Sequence, residues 1–203
     1  MILTKAAFET YLTFHYLFIS PTDNINKTFR FLCWNISGFL DRSNHNPKES
    51  EHIRLKIEEQ EWLKRDIEEL KNNINSRPIT KNAQKRALMS EWRSYYKWSD
   101  LAVNAGCKED FFRIQYKHLC GFSHSSRLSI NQIQQTKSVN KQNEMTKSSK
   151  AILILILAKY IYDYIELMPL LHSVKEDLKL NPLILQWKSI AETITNDKQP
   201  ENN

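Results

Sequence analysis

Residues 2–20 read ILTKAAFETYLTFHYLFIS. Ile2, Leu3, Phe8, Tyr11, Leu12, Phe14, Tyr16, Leu17, Phe18 and Ile19 leave no polar stripe, so the predicted helix is apolar on nearly every side. A helix of that kind needs neighbours on several sides and belongs at the centre of a bundle. Pro21 ends it. Glu9 and His15 are then polar groups on a largely buried helix. Lys5 lies one turn before Glu9 and is its expected ion-pair partner.

A second segment makes the same demand. Residues 150–172 predict a helix that opens on the run AILILILA and continues through Lys159, Asp163 and Glu166. A bilayer needs about twenty consecutive apolar residues, so this is a core helix and not a membrane span. Residues 2–20 and 150–172 are expected to lie side by side. The chain has 203 residues and only three glycines, which disfavours a sandwich or barrel built on tight turns. The fold class that follows is all-α, a helical bundle of five to seven helices. Residues 1–195 form one helical domain in this reading, and 196–203 a disordered tail.

The remaining elements are amphipathic or polar. Residues 24–41 carry Phe29, Phe31, Leu32, Trp34, Ile36 and Leu40. Asn46 is an expected N-cap, with Pro47 at the first helical position. From Lys48 to Asn75, Ile53 and Ile57 fall on one side, then Leu63, Ile67, Leu70 and Ile74 recur at helical spacing. Charged pairs such as Arg54–Glu58 and Glu61–Arg65 cover the other faces. Arg77–Pro78 marks a turn. Residues 80–97 read as a basic helix or helix–loop, with Lys81, Lys85, Arg86, Arg93 and Lys97 among Trp92, Tyr95 and Tyr96. Such a mixture can track a nucleic-acid backbone, although at helical spacing the aromatics also suit a core. Ser99–Asp100 caps a short helix ending near Gly106, and Lys108–Cys120 forms another, stopped by Gly121. Residues 135–149 lack apolar periodicity and read as a loop. Pro182 opens a last helix with Leu183, Trp187, Ile190 and Ile194 on one face.

Net charge is +6 and the isoelectric point is about 9.1, a modest basic excess that favours approach to nucleic acid or an anionic membrane. Cys33, Cys107 and Cys120 are odd in number and show no CxxC spacing, so neither a disulfide framework nor a metal site is expected. No cofactor motif is present. The N-terminus has no charged leader before an apolar run, and the expected location is cytoplasmic.

The chemistry-bearing residues concentrate in 92–129, WRSYYKWSDLAVNAGCKEDFFRIQYKHLCGFSHSSRLS. Two segments resemble the bacterial family catalogued as domain of unknown function 5677. Lys5-Ala-Ala-Phe-Glu9 is similar to its early Arg-x-x-Phe-Glu helix. Trp98 to Ser125 is similar to its pattern of Trp, a short helix, Tyr-x-x-Leu-Ser and a later His. The matching residues here are Trp98, Tyr116, Leu119, Cys120 in the Ser place, and His124. The family commonly has Pro after that His, where this chain has Ser125. Met1 stands directly against the first motif, so relatives are expected to carry more chain before it. The resemblance makes Glu9, Tyr116, Ser123, Ser125 and His124 candidate binding or catalytic residues.

Arg113-Ile-Gln-Tyr-Lys-His118 has the Arg-x4-His form and resembles the motif of HEPN ribonucleases. Those are small helical bundles, often dimeric, found in toxin–antitoxin and phage-defence systems. A His can take the proton from a ribose 2′-OH, and an Arg can hold phosphoryl oxygens as charge builds. Five positions turn a regular helix by roughly 140°, so Arg113 and His118 do not share a face. A polar residue usual after the Arg is replaced by Ile114. Set against the catalytic reading are a salt-bridged Arg113, a surface His118 and a His124 buried against a backbone group or Glu9.

Two functional classes follow. One is a HEPN-like RNA-cleaving or RNA-binding protein, with Arg113, His118 and His124 as catalytic candidates, no metal, RNA as partner and a homodimer as one expected state. The other is a non-catalytic helical protein–protein interaction module.

Overall fold

The computed structural model describes residues 1–44, 47–74, 81–93, 96–124, 126–177 and 180–196. Among them are nine α-helices and no strand: α1 Ile2–Phe14, α2 Asn24–Ser43, α3 Ser50–Ile74, α4 Lys81–Ala87, α5 Trp98–Asn104, α6 Glu109–Ser123, α7 Arg127–Gln135, α8 Val139–Leu167 and α9 Leu180–Asn196. A π-helical turn, His15–Ile19, extends α1, and a 3-10 segment, Pro169–Glu176, joins α8 to α9. The all-α class stands. The expected five to seven helices become nine among the described residues, and α7 is the one with no counterpart in the sequence reading.

The chain divides into two compact units, one of residues 1–20 and 98–203, the other of residues 21–97. In the first, α1 packs on α5, α6 and α8. Phe8, Tyr11 and Leu12 are almost fully buried, whereas Ile2 and Leu3 of the same helix stay exposed, so the burial expected on every side is met only in part. Tyr11 meets α8 directly, its hydroxyl donating to Asp163 Oδ2 at 2.9 Å and its ring lying edge-on to Tyr160. The expected neighbours 2–20 and 150–172 are therefore packed together. The π turn adds Tyr16 and Leu17 to this core.

In the second unit, α2 and α3 pair along their lengths and α4 closes one end. Phe29, Leu32, Cys33 and Ile36 of α2 meet Leu70 of α3 and Ala83 and Ala87 of α4. Asp66 is buried there but paired, accepting from Asn35 Nδ2 at 2.6 Å and from Arg65 at 3.1 Å. Asp23, not a residue inside the helix, caps α2 by accepting from the Asn26 N–H at 2.7 Å.

Three local expectations change. Residues 135–149 are not a loop: α8 begins at Val139, with Ser138 accepting from the Lys141 N–H as its cap. Low hydrophobicity there reports solvent exposure, and Lys, Gln, Glu and Met remain good helix formers. Gly121 does not stop α6, which runs to Ser123. The basic helix of 80–97 ends at Ala87, and Ser90 follows with a left-handed φ of 62°. The expected cap Asn46, the Arg77–Pro78 turn, Tyr95 and all of the expected tail 196–203 but Asn196, which ends α9, lie outside the described residues.

Candidate functional site

Helix α6 carries every described candidate except Glu9 and its own C-cap His124, and it presents them on two sides. Its start is favourable because Glu109 and Asp110 stand in the first turn, where the exposed N–H groups carry partial positive charge. Its inner side carries Phe112, Tyr116 and Leu119. Phe112 meets Phe8 edge-on at 5.4 Å and stacks on Tyr116 at 4.8 Å. The Tyr116 hydroxyl donates to Glu9 Oε1 at 2.5 Å, and Lys5 Nζ lies 3.4 Å from the same oxygen. Lys5 also sits 5.9 Å from the Tyr116 ring centre. Burial, reinforced by the hydrogen bond and charge of Glu9 and by Cys120, pushes the Tyr116 phenol well above its usual range. Tyr116 is therefore a neutral donor, and Glu9 is its acceptor.

The outer side of α6 forms a cleft with the start of α7. Arg113, Lys117 and His118 line it together with Ile114 and Phe122, and its volume is about 590 Å³. Gly121 lets α7 come close: a Cβ there would lie 3.2 Å from Ser126 Oγ. Ser126 caps α7 by accepting from the Ser129 N–H at 3.2 Å. The buried Ser129 hydroxyl donates back toward the Gly121 carbonyl at 2.7 Å. These bonds fix the cleft wall.

The cleft is cationic on one part and apolar on the other. Arg113 pairs with Asp110 at 3.1 Å, but both side chains are largely exposed, so an incoming anion displaces that pair at little cost. His118 is half-buried, with its ring 5.0 Å from Phe122 in an edge contact. The helical turn separates Arg113 and His118 by roughly 140°, and both nevertheless line the one cleft.

The other candidates lie elsewhere. Ser123 Oγ donates to the Cys120 carbonyl one turn back. His124 is the C-cap of α6 and is exposed, so it is not a histidine buried against Glu9, whose carboxylate is taken by Tyr116 and Lys5. Ser125 lies outside the described residues. Lys117 and Phe122 were not singled out from the sequence. Each stands four positions after a cleft residue, Lys117 after Arg113 and Phe122 after His118, and that spacing is the signal that finds them. Among the described residues no group of three or more His, Cys, Asp or Glu side chains is placed to hold a metal.

The profile of a family of unknown function (DUF5677) matches residues 1–144. The chain belongs to the DUF5677 family. The match takes in α1 to α7, and so both Glu9–Tyr116 and the cleft, and it ends within the first turns of α8. The two segments that suggested DUF5677 meet in space, through Glu9 and Tyr116 and through Phe8 and Phe112. No curated protein and no solved structure matches the chain. Among the described residues no helix is long and apolar enough to cross a membrane.

Proposed function

We propose that this DUF5677 protein is a HEPN-like RNA-cleaving or RNA-binding protein of the toxin or phage-defence type, and that the cleft between α6 and α7 is where RNA sits. One observation supports this above others. Arg113, Lys117 and His118 line the same cleft, although the helix turn alone argues against it.

The chemistry would run as follows. Arg113 binds the phosphoryl oxygens and neutralises charge as it builds. His118, in the same cleft, takes the proton of the ribose 2′-OH. The 2′-oxygen then bonds to phosphorus as the bond to the 5′-oxygen breaks, and the leaving oxygen takes a proton from the Lys117 ammonium or water. The basic excess of the chain favours approach of the polyanion.

A second reading, a helical protein–protein interaction module, draws on α3. There Ile53, Ile57 and Trp62 are exposed on a helix otherwise rich in charge. Incubation of pure protein with total RNA, with and without chelator, separates the two. Chelator-resistant cleavage that Arg113→Ala removes supports the first. Intact RNA and no RNA binding at low salt support the second.

A further inference from the structure

The hairpin formed by α8 and α9 exposes two parallel rows of apolar side chains. On α8 the row is Ile154, Leu157, Ile161 and Tyr164, at spacings of three, four and three. On α9 it is Leu180, Leu183, Trp187 and Ile190, at the same spacings. Each of the eight side chains is 36–53% exposed. Spacing of this kind is the seam of helices that pack on other helices, with knobs of one row seated between those of the next.

The two rows face the same way. The short connection through Pro169–Glu176 makes α9 an antiparallel neighbour of α8, and Lys188 Nζ lies 3.4 Å over the Tyr162 ring across their contact. Advancing at roughly 100° per residue, the α8 row lies about a third of a turn before Tyr162, its contact with α9. The α9 row lies about a third of a turn before the side carrying Lys188. On antiparallel helices those two offsets point to one side of the hairpin. The product is half of a four-helix bundle, open on one face.

We infer that a second copy of this chain covers that face, forming a two-fold homodimer in which two α8–α9 hairpins complete a four-helix bundle. Neither row contains a charged residue, so the matching surface is apolar, two helices wide and of equal length. A second copy presents that surface by symmetry. The exposed area of the eight side chains is on the order of 600 Å² per copy, close to the roughly 800 Å² per partner of a standard interface. The face lies beyond the residues matched by the DUF5677 profile, so it is a feature of this chain rather than one the family match supplies.

Light scattering on the purified chain tests this. The expected mass is twice the 24.1 kDa of one chain. Leu157→Lys with Ile161→Lys, and separately Leu157→Glu with Ile161→Glu, should each weaken the dimer by at least roughly a hundredfold while leaving the helical circular dichroism unchanged. Mixing the Lys and Glu proteins should restore a mass of two chains. A wild-type chain that stays at one chain's mass at the highest concentration reached overturns the inference and leaves the face to a different partner. A wild-type dimer untouched by either pair of substitutions, in folded protein, overturns it as well.

Discussion

Tyr116 and Glu9 stand 107 positions apart in sequence and share a 2.5 Å hydrogen bond, phenol to carboxylate. That bond ties the first helix to α6, the helix whose opposite side forms the cleft. Glu9 is partly buried and also neutralises Lys5, so the three groups depend on one another. Tyr116→Phe should lower stability by about 1.5–3 kcal/mol, the usual worth of a hydrogen bond to a charged acceptor. Glu9→Gln should cost somewhat less, because its amide oxygen still accepts. A denaturant double-mutant cycle checks the pair, and an interaction energy near zero would show that the bond does not couple the helices.

Arg113→Ala and His118→Ala should abolish RNA cleavage while changing stability by no more than about 0.5 kcal/mol, because Arg113 is exposed and His118 is only half-buried. Lys117→Ala should weaken binding to all RNA sequences alike and reduce the salt slope by about one. Filter binding across a salt series reads both effects. A lowered melting temperature in place of lost binding would assign these residues to the fold.

His124 separates the sequence from the structure. A histidine against the core would cost roughly 1–3 kcal/mol on removal. The exposed His124 at the end of α6 predicts a cost of His124→Ala below about 0.5 kcal/mol, and no loss of RNA binding. Thermal melts of the variant beside wild type decide between the two values.

Cys33 has no exposed surface, and burial pushes its thiol from an ordinary 9.0 up to about 12. The folded chain holds this proton after the unfolded chain has released it. The resulting stability is complete below about pH 9 and is lost as pH rises toward 12, amounting to about 4 kcal/mol over that window. Cys33→Ala should therefore lose less stability than wild type between pH 7 and pH 10.5, by about 2 kcal/mol. Urea melts at the two values test this, and parallel losses in both proteins would discard it.

Ser126 holds the start of α7 against α6. Ser126→Ala should cost about 1 kcal/mol through the lost cap. It should also speed amide exchange in the first turn of α7 and weaken RNA binding, since that turn is one wall of the cleft.

The two helices hardest to expose were the easiest to read. Ile2–Phe14 and the apolar run of α8 announce packing against each other, and Tyr11 indeed meets Asp163 and Tyr160, although Ile2, Leu3, Ile154 and Leu157 stay exposed. The first turns of α8 were hidden for the opposite reason: an exposed helix has no apolar period, so Val139–Ser149 looked like a loop. Gly121 reads as a stop in sequence, but in the fold it makes room for Ser126. The Arg113–His118 string was legible, whereas the cleft was not. A helical wheel gives the angle between two side chains and says nothing of how wide an opening α7 leaves between them.

The Tyr11–Asp163 bond spans 152 positions, and residues 21–97 fold as a separate unit inside that interval. On a ribosome adding about 5–20 residues per second, the first helix leaves the exit tunnel on the order of ten to thirty seconds before α8 exists. Until α5 and α6 are made its apolar surface has no native neighbour, and the side that meets α8 waits longest. This apolar helix is thus made well before the α8 helix that completes its burial. Its yield in the cell should depend on whether a holdase reaches that helix before another nascent chain does.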